Sequence, residues 1–581
     1  MADRLQKLLP ALDWIRPYDR PTAIADLTAG TITAILLVPQ AMAYAQLAGL
    51  PPEVGLYSSI LPILLYAIFG TSRTLAVGPV AVAALMVASA LEPVAMPGSI
   101  DYIAGAIFLA VASGLILFLM GLARLGIVAT LLSHPVMSGF TSAAAIVIAA
   151  SQFKHILGLQ LPSGLRLDEL TIAIISHAGD VNVVTLLFGL MGIGLLVFFR
   201  QYLSNILIKR GLSKESASIF SRLGPLLLVM ALTGLSAFYQ VADSAGVAIV
   251  GTIPEGLPDL TMPNVGLAAD LLVPALLIAL VGFVESVAVA KALAAKRREK
   301  IDVNQELIGL GLANMGAGFT AGAPVSGGFA RSVVNFEAGA KTQAAAIITA
   351  LIIVLTVLAF TPLFYHLPQA VLSAIIVVSV LTLVDFGVLK RCWSYDKADA
   401  AAWLITFAMV LATGVELGIL AGIAISIALF LWRTSRPHTA IVGRVRDTEH
   451  FRNVLRHDVE TAAHLVAIRV DESLYFANAA HLERTVLDKV ADNPALTDVL
   501  LICSAINAID GSALETLEAL HEELHGAGVT LSLAEVKGPV MDRLERTDFI
   551  NHLGRMNIYL SAHDAFAEIV DARKTDLDYY I

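Results

Sequence analysis

Arg331 is the only basic residue between Lys300 and Lys341, and it sits in the stretch Val325-Ser326-Gly327-Gly328-Phe329-Ala330-Arg331-Ser332, just after Ala323-Pro324. A proline, a glycine pair and a guanidinium inside a long apolar region are poor material for an unbroken spanning helix. They suit a helix that begins midway, its free backbone N–H groups facing a cavity rather than lipid. Such a start carries about half a positive charge, and a guanidinium stays protonated. A second interruption, Leu75-Ala76-Val77-Gly78-Pro79-Val80, has a similar make-up. Two helix starts, at Val80-Ala81 and at Gly328, together with Arg331 offer roughly two positive charges. That suits a dianion held by Val80, Ala81, Ser326, Gly327, Gly328, Phe329, Ala330 and Arg331.

Glu285 is the one charge in the apolar run 271–290. A carboxylate at membrane depth is costly and is a functional candidate by default. The expected cycle pairs Glu285 with Arg331, then protonates the acid during loading and frees the arginine, which couples H+ to the anion. The competing reading is a structural acid, just as Arg331 can be read as a plug between two half-helices. Gln40 and Tyr44 stand four apart on one helical face and can donate to anion oxygens, although such a pair often serves packing.

Three further motifs carry no chemistry on this reading. His521-Glu522-Glu523-Leu524-His525 fits the H-E-x-x-H zinc pattern. It lacks a third ligand, and Leu514, Leu517, Leu520 and Leu524 make its helix amphipathic, so a solvated face is expected and neither metal nor cofactor. Gly309-Leu310-Gly311 lacks the lysine of a phosphate loop. Asp510-Gly511-Ser512, between strand and helix, reads as an N-cap.

The elements that must position these residues follow from composition. Of 581 residues 57% are hydrophobic and 15% charged, with mean hydropathy +0.77, where soluble domains run nearer a quarter charged. A soluble enzyme is excluded for most of the chain. The net charge of −10 gives no support to nucleic-acid binding, and two cysteines, Cys392 and Cys503, form no disulfide framework. Apolar runs at about 27–47, 53–70, 101–121, 125–152, 182–200, 219–239, 268–293, 304–320, 343–363, 368–385, 399–414 and 416–432, with short runs at 78–91 and 327–339, predict about fourteen membrane segments. Arg4, Lys7, Arg16 and Arg20 precede the first run without a signal-peptide pattern. Basic residues follow the sixth segment (Arg200, Lys209, Arg210, Lys214, Arg222), the eighth (Lys291, Lys296, Arg297, Arg298, Lys300) and the twelfth (Lys390, Arg391, Lys397). The loops 91–100, 240–267, 316–327 and 413–415 have none. This places both termini in the cytoplasm, with Lys154 and Arg166 as the exception. Seven segments per half invert the second half, at 265–436, relative to the first, at about 22–240. Interrupted helices in such repeats point to a midplane site. After 436, strand-like runs at 464–471, 498–503, 529–534 and 557–560 alternate with helix-like runs at 478–491, 511–525, 538–550 and 563–572, predicting a small α/β domain over 437–581.

Specific motifs carry a resemblance across nearly the whole chain. Pro52-Glu53-Val54-Gly55-Leu56-Tyr57-Ser58-Ser59, then Tyr66 and Gly70-Thr71-Ser72-Arg73, resemble the signature of the sulfate permease (SulP) family. Val38-Pro39-Gln40-Ala41-Met42-Ala43-Tyr44-Ala45 looks like its first helix. Glu285-Ser286, Asn304-Gln305-Glu306-Leu307, Pro324 to Asn335 and Gly339-Ala340-Lys341-Thr342 resemble its second half, and the tail is similar to its STAS domain. The resemblance implies an α-helical membrane protein of two inverted seven-segment repeats, core and gate, with a cytoplasmic STAS domain. It further implies a homodimer in the plasma (inner) membrane, moving anions such as sulfate, bicarbonate or dicarboxylates. It favours Gln40 and Tyr44 as substrate contacts and Glu285 as a proton carrier. Where similar sulfate transporters have serines, this chain has Gly328 and Ala330, and Ser326 or Ser332 is left to supply hydroxyls.

The expectation is therefore secondary active transport of sulfate or a similar inorganic oxyanion, as proton symport with a core moving against a gate. Its alternative is bicarbonate or dicarboxylate transport with sodium coupling or exchange. A membrane sensor signalling through the tail, or through a cytosolic partner of it, and a zinc peptidase on the tail are readings from other classes.

Overall fold

The computed structural model describes residues 9–15, 18–130, 133–162, 165–211, 213, 217, 221 and 223–578. Arg4, Lys7, Arg16, Lys214 and Arg222 lie outside them. Two compact units divide at Ser426 and Ile427, within the last long apolar helix.

Membrane-type helices build the first unit. In chain order these are α1 (Arg20–Leu47), α2 (Pro52–Tyr57), α3 (Leu61–Phe69), α4 (Ala81–Leu91), α5 (Ile100–Leu122), α6 (His134–Leu157), α7 (Val183–Phe198) and α8 (Gly224–Tyr239). A second series follows: α9 (Ala268–Arg297), α10 (Val303–Phe319), α11 (Phe329–Glu337), α12 (Ala344–Ala359), α13 (Gln369–Val380), α14 (Phe386–Tyr395), α15 (Lys397–Thr413) and α16 (Val415–Ser435). Among the described residues eight spans are long and apolar enough to cross a bilayer, and α4, α8 and α12 are shorter apolar helices. The spans differ from the apolar runs where local chemistry intervenes. The run 53–70 breaks around Ser58 and Ser59, whose hydroxyls bond back to Val54 and Gly55 carbonyls. Leu125–Thr130 forms a 3-10 turn, and α6 begins only at His134, with Pro135 in its first turn.

Two helix groups emerge from the packing. In one, α5 packs on α9 and α10, α3 on α10 and α12, and α1 on α11 and α12. In the other, α6 packs on α7, α13 and α15, and α7 on α8. They meet along a seam where α1 touches α8 and α13 and α4 touches α6. The α5–α10 contact is close because glycines line it. A Cβ on Gly114 would lie 2.5 Å from Met315 N, and one on Gly311 would lie 2.6 Å from Phe118 N. Small residues at such interfaces let backbones approach where lipid supplies no hydrophobic drive.

The segment between α3 and α4 contains a strand, β1 (Val77–Gly78), that pairs antiparallel with β2 (Ser326–Gly327), just before α11. Buried carboxylates pin the chain on both sides of this crossing. Glu306 of α10 accepts from the Tyr66 hydroxyl (2.7 Å), the Thr71 N–H (2.7 Å) and hydroxyl (2.6 Å), and the Ser72 N–H (3.1 Å). Asp26 of α1 accepts from the Lys341 N–H (2.6 Å) and from the Thr342 N–H (3.0 Å) and hydroxyl (2.5 Å). Each acid satisfies backbone donors that lipid could not.

A six-stranded sheet of order β4-β3-β5-β6-β7-β8 forms the second unit, from β3 (Thr439–Arg444), β4 (Phe451–Asn453), β5 (Leu465–Val470), β6 (Asp498–Ile502), β7 (Thr530–Ala534) and β8 (Ile558–Tyr559). β4, β3 and β5 are antiparallel neighbours, and β5 to β8 run parallel. Period-2 alternation sends Val466, Ile468 and Val470 to one face, against Leu482 and Val486 of α17 (Ala479–Asp492) and Leu517 and Leu520 of α18 (Gly511–Gly526). Leu465 and Ala467 face the other way, toward Phe566. The expected helix over 538–550 is split into Gly538–Leu544 and Phe549–Leu553, and β3 and β4 lie ahead of the strands foreseen. Asp510 is the cap of α18, accepting from Ala513 N–H (2.8 Å). His521 faces the His552 carbonyl (3.1 Å). Cys503 is buried, and that burial pushes its thiol up to about 12.

Asp471 closes the end of β5 between Arg469 Nε (2.6 Å) and His438 Nδ1 (2.7 Å). Burial opposes its charge, but the bonds from Arg469 and His438 together outweigh that and hold its carboxyl below the ordinary range. A depressed carboxyl contributes stability above its unfolded value near pH 4 and loses it as pH falls through the folded value. Asp471→Asn is expected to destabilise the 437–581 fragment by about 1 kcal/mol at pH 7. In denaturant titrations the gap between the two proteins should close as pH falls through the folded value of the Asp471 carboxyl.

Candidate functional site

The strand pair fixes where the two half-helices begin. Val77 lies opposite Gly327 and Gly78 opposite Ser326, and Gly328 N–H donates to Ala76 O at 3.1 Å. Val80 is the residue before α4 and Gly328 the residue before α11, and neither helix start has a side-chain cap. The backbone leading into the crossing is held by side chains instead. Ser332 Oγ accepts from Ala76 N–H (2.9 Å) and donates to Gly328 O (2.7 Å). Ser286 Oγ accepts from Gly327 N–H (2.8 Å), and Asn314 bonds both polar groups of Val325 (2.8 and 2.9 Å). Asn335 donates to Thr74 O (3.1 Å). An irregular segment at membrane depth needs this complete accounting.

Arg331 is 3% exposed. Its Nη1 donates to Pro79 O at 2.7 Å, while Nε and Nη2 have no partner among the described residues. A buried guanidinium with two open donors is an expensive arrangement unless something else meets them. Two glycines make room for it. A Cβ on Gly328 would lie 2.9 Å from Arg331 Nη2, and one on Gly78, whose φ of +154° already favours glycine, would lie 3.3 Å away.

A cavity of about 420 Å3 runs along the helix seam to Arg331. Gln40 and Ala330 line it on one side, Ser379 and Thr382 of the α13 region on the other, and it extends to Arg200 beyond α7. Gln40 is 8% exposed and its Oε1 has no partner among the described residues. Tyr44, one turn on, is buried and within electrostatic reach of Arg331 and Glu285. Of the expected contacts, then, Gln40, Ala330 and Arg331 share one cavity, with Tyr44 beside it. Val80 lines a separate hollow of about 10 Å3 together with Tyr44 and Pro79. Ala81, Gly327 and Gly328 are buried and line neither, and Phe329 is exposed.

Glu285 interacts with Arg331 through space, yet among the described residues no ion pair joins them. In place of the direct pairing expected from the sequence, Arg331 Nη1 donates to the Pro79 carbonyl, just ahead of α4. Nor do the two serines behave alike. Ser332 is committed to the backbone on both sides, whereas Ser326 Oγ is buried, beside Gly282, with no partner among the described residues. Ser379 and Thr382 went unforeseen, since hydroxyls in an apolar helix usually serve their own carbonyls. Among the described residues no group of three metal-type ligands occurs.

The model of the sulfate permease family matches residues 24–406, and that of the STAS domain matches residues 456–565. "Sulfate transporter 4.1, chloroplastic" of Arabidopsis thaliana is 36% identical over 578 residues, covering 97% of this chain and 83% of that protein. "Probable sulfate transporter MT1781" of Mycobacterium tuberculosis is 33% identical over 559 residues, covering 95% and 96%. Among solved structures, the murine Solute Carrier 26 member A9 anion transporter, in an inward-facing state, superposes with a TM-score of 0.88 at 25% identity, covering 97% of this chain and 94% of that one.

The double role of Ser332 is open to test. Ser332→Ala leaves Ala76 N–H without its acceptor in a dry setting and should lower stability by about 1–3 kcal/mol. Thermal unfolding of the detergent-purified protein reads this loss, and Ser332→Thr, which keeps the hydroxyl, should recover most of it.

Proposed function

This chain belongs to the sulfate permease family, and on that premise we propose that it accumulates sulfate or a similar oxyanion by proton symport. Family membership makes it a multi-pass membrane protein that transports anions and not an enzyme. The finer reading rests on one observation: Arg331, almost wholly buried and with two donors that have no partner among the described residues, lines a cavity that Gln40 also lines. Adding the starts of α4 and α11 gives roughly two positive charges, in proportion to a dianion. The printed names of the relatives favour sulfate among the candidates.

In this reading Gln40 and Tyr44 orient the anion and Arg331 binds it beside Ala330, while the helix starts at 80–81 and 326–329, behind the cavity wall, add positive potential. Glu285, near enough to feel the Arg331 charge, carries the proton. An acid opposite the arginine attracts it when ionised and releases it to the anion when protonated. The group holding α1, α4 and α11 moves against the group holding α6, α7 and α13, an elevator-like stroke along their seam. The protein works as a homodimer in the plasma (inner) membrane with both termini cytoplasmic, and the 437–581 domain serves dimer contacts or a cytosolic partner.

Labelled sulfate uptake into proteoliposomes under an imposed pH gradient tests the reading. Accumulation should follow the proton gradient and ignore sodium. Binding without accumulation would leave a sensor in place of a carrier. Arg331→Ala should weaken sulfate binding by about 30-fold or more, the loss expected for charged hydrogen bonds. Glu285→Gln should retain exchange while losing pH-driven accumulation, and unchanged accumulation would remove the acid from the mechanism.

A further inference from the structure

The seam between the two helix groups holds a second cavity, of about 360 Å3, among the C-terminal ends of α1, α4, α6 and α15. Its ionisable lining consists of Glu92, Lys154, His155 and Arg166. Lys154 and Arg166 are the two residues that break the loop-charge asymmetry, so a positive charge is kept here against the usual bias. Two helices also begin at its wall, at Leu167 and Val415, but four end there, and C-terminal ends carry partial negative charge that disfavours anions unless cations offset it. Arg166 is committed to that task, its Nη2 donating to Ala412 O (2.6 Å) at the end of α15. Lys154, in the last turn of α6, lies across the seam from Glu92 at the end of α4, and the two charges attract.

In the wall of the same cavity, side chains bridge the seam. Gln46 of α1 donates to Ser373 Oγ of α13 (3.4 Å), which donates to Gln152 Oε1 of α6 (3.1 Å). Past this chain lie Tyr44 and then the cavity of Arg331. Each link joins opposite groups or braces one that does, and each is polar, so water or an anion can replace it as the groups part.

We propose that Glu92 is a place-holder for the transported anion at Lys154: as the seam opens, Glu92 leaves with α4, and Lys154 on α6 becomes the first cation that an anion entering from this face meets. The inference rests on the anion-carrier reading above and adds a capture residue at the opposite mouth from Arg200. The carboxylate keeps the lysine neutralised while the seam is shut, so no anion is held in a vestibule without exit. An incoming oxyanion then competes with Glu92 for one ammonium, which ties opening to cargo.

Sulfate uptake by intact cells, compared with uptake by inside-out vesicles from the same cells, tests the assignment with sulfate itself as the probe. Lys154→Gln should raise the KM for entry from the Lys154 face by about threefold or more at low ionic strength, and Glu92→Gln should lower it. Both shifts should shrink near 0.3 M salt as screening shortens the reach of each charge, and the KM from the other face should stay unchanged. Lys154→Arg, which keeps the charge, should behave as wild type and guards against misfolding. A merely structural pair predicts that both neutral variants impair uptake alike, so shifts in the same direction, or none, overturn the proposal. Wild-type protein that moves no sulfate overturns the transport reading itself, a separate outcome.

Discussion

Everything in the membrane unit answers to one constraint: a backbone that leaves helical geometry in a dry interior must find partners for its N–H and C=O groups. Two segments leave it together, and they answer part of the demand with each other, as the β1–β2 pair. What the pair leaves over is taken up by Ser286, Asn314, Ser332 and Asn335, with Glu306 and Asp26 anchoring the flanks. The site is a by-product of that solution. Both half-helices must start at the crossing, and their starts are where positive potential collects.

This explains what could be read in advance. Breaks at Gly78-Pro79 and Gly327-Gly328 are visible because proline and paired glycines are costly inside a helix. Arg331 and Glu285 are visible because charge at membrane depth is rare. Their mutual geometry was not. Whether the guanidinium reaches a carboxylate or a carbonyl depends on distances across the crossing, and Pro79 O lies 2.7 Å away. The wall formed by Ser379 and Thr382 was invisible for a different reason: a hydroxyl in a membrane helix can always bond its own chain, so its type says nothing of where it faces.

The soluble unit shows the complementary case. Strands β5, β6 and β7 are buried on both faces and read as apolar runs. β4, which precedes them at the edge of the sheet, is only three residues long and carries Arg452, an edge-type pattern that hides a strand. The long amphipathic α18 carried the H-E-x-x-H spacing, yet His521 meets a main-chain carbonyl and the helix contributes Leu517, Leu520 and Leu524 to the core.

The bond from Arg331 to Pro79 has a mechanical side. The guanidinium grows from the later half-helix and grips the main chain just ahead of the earlier one, so the two are stitched near the point where each begins. Neither can slide past the other until that stitch is cut.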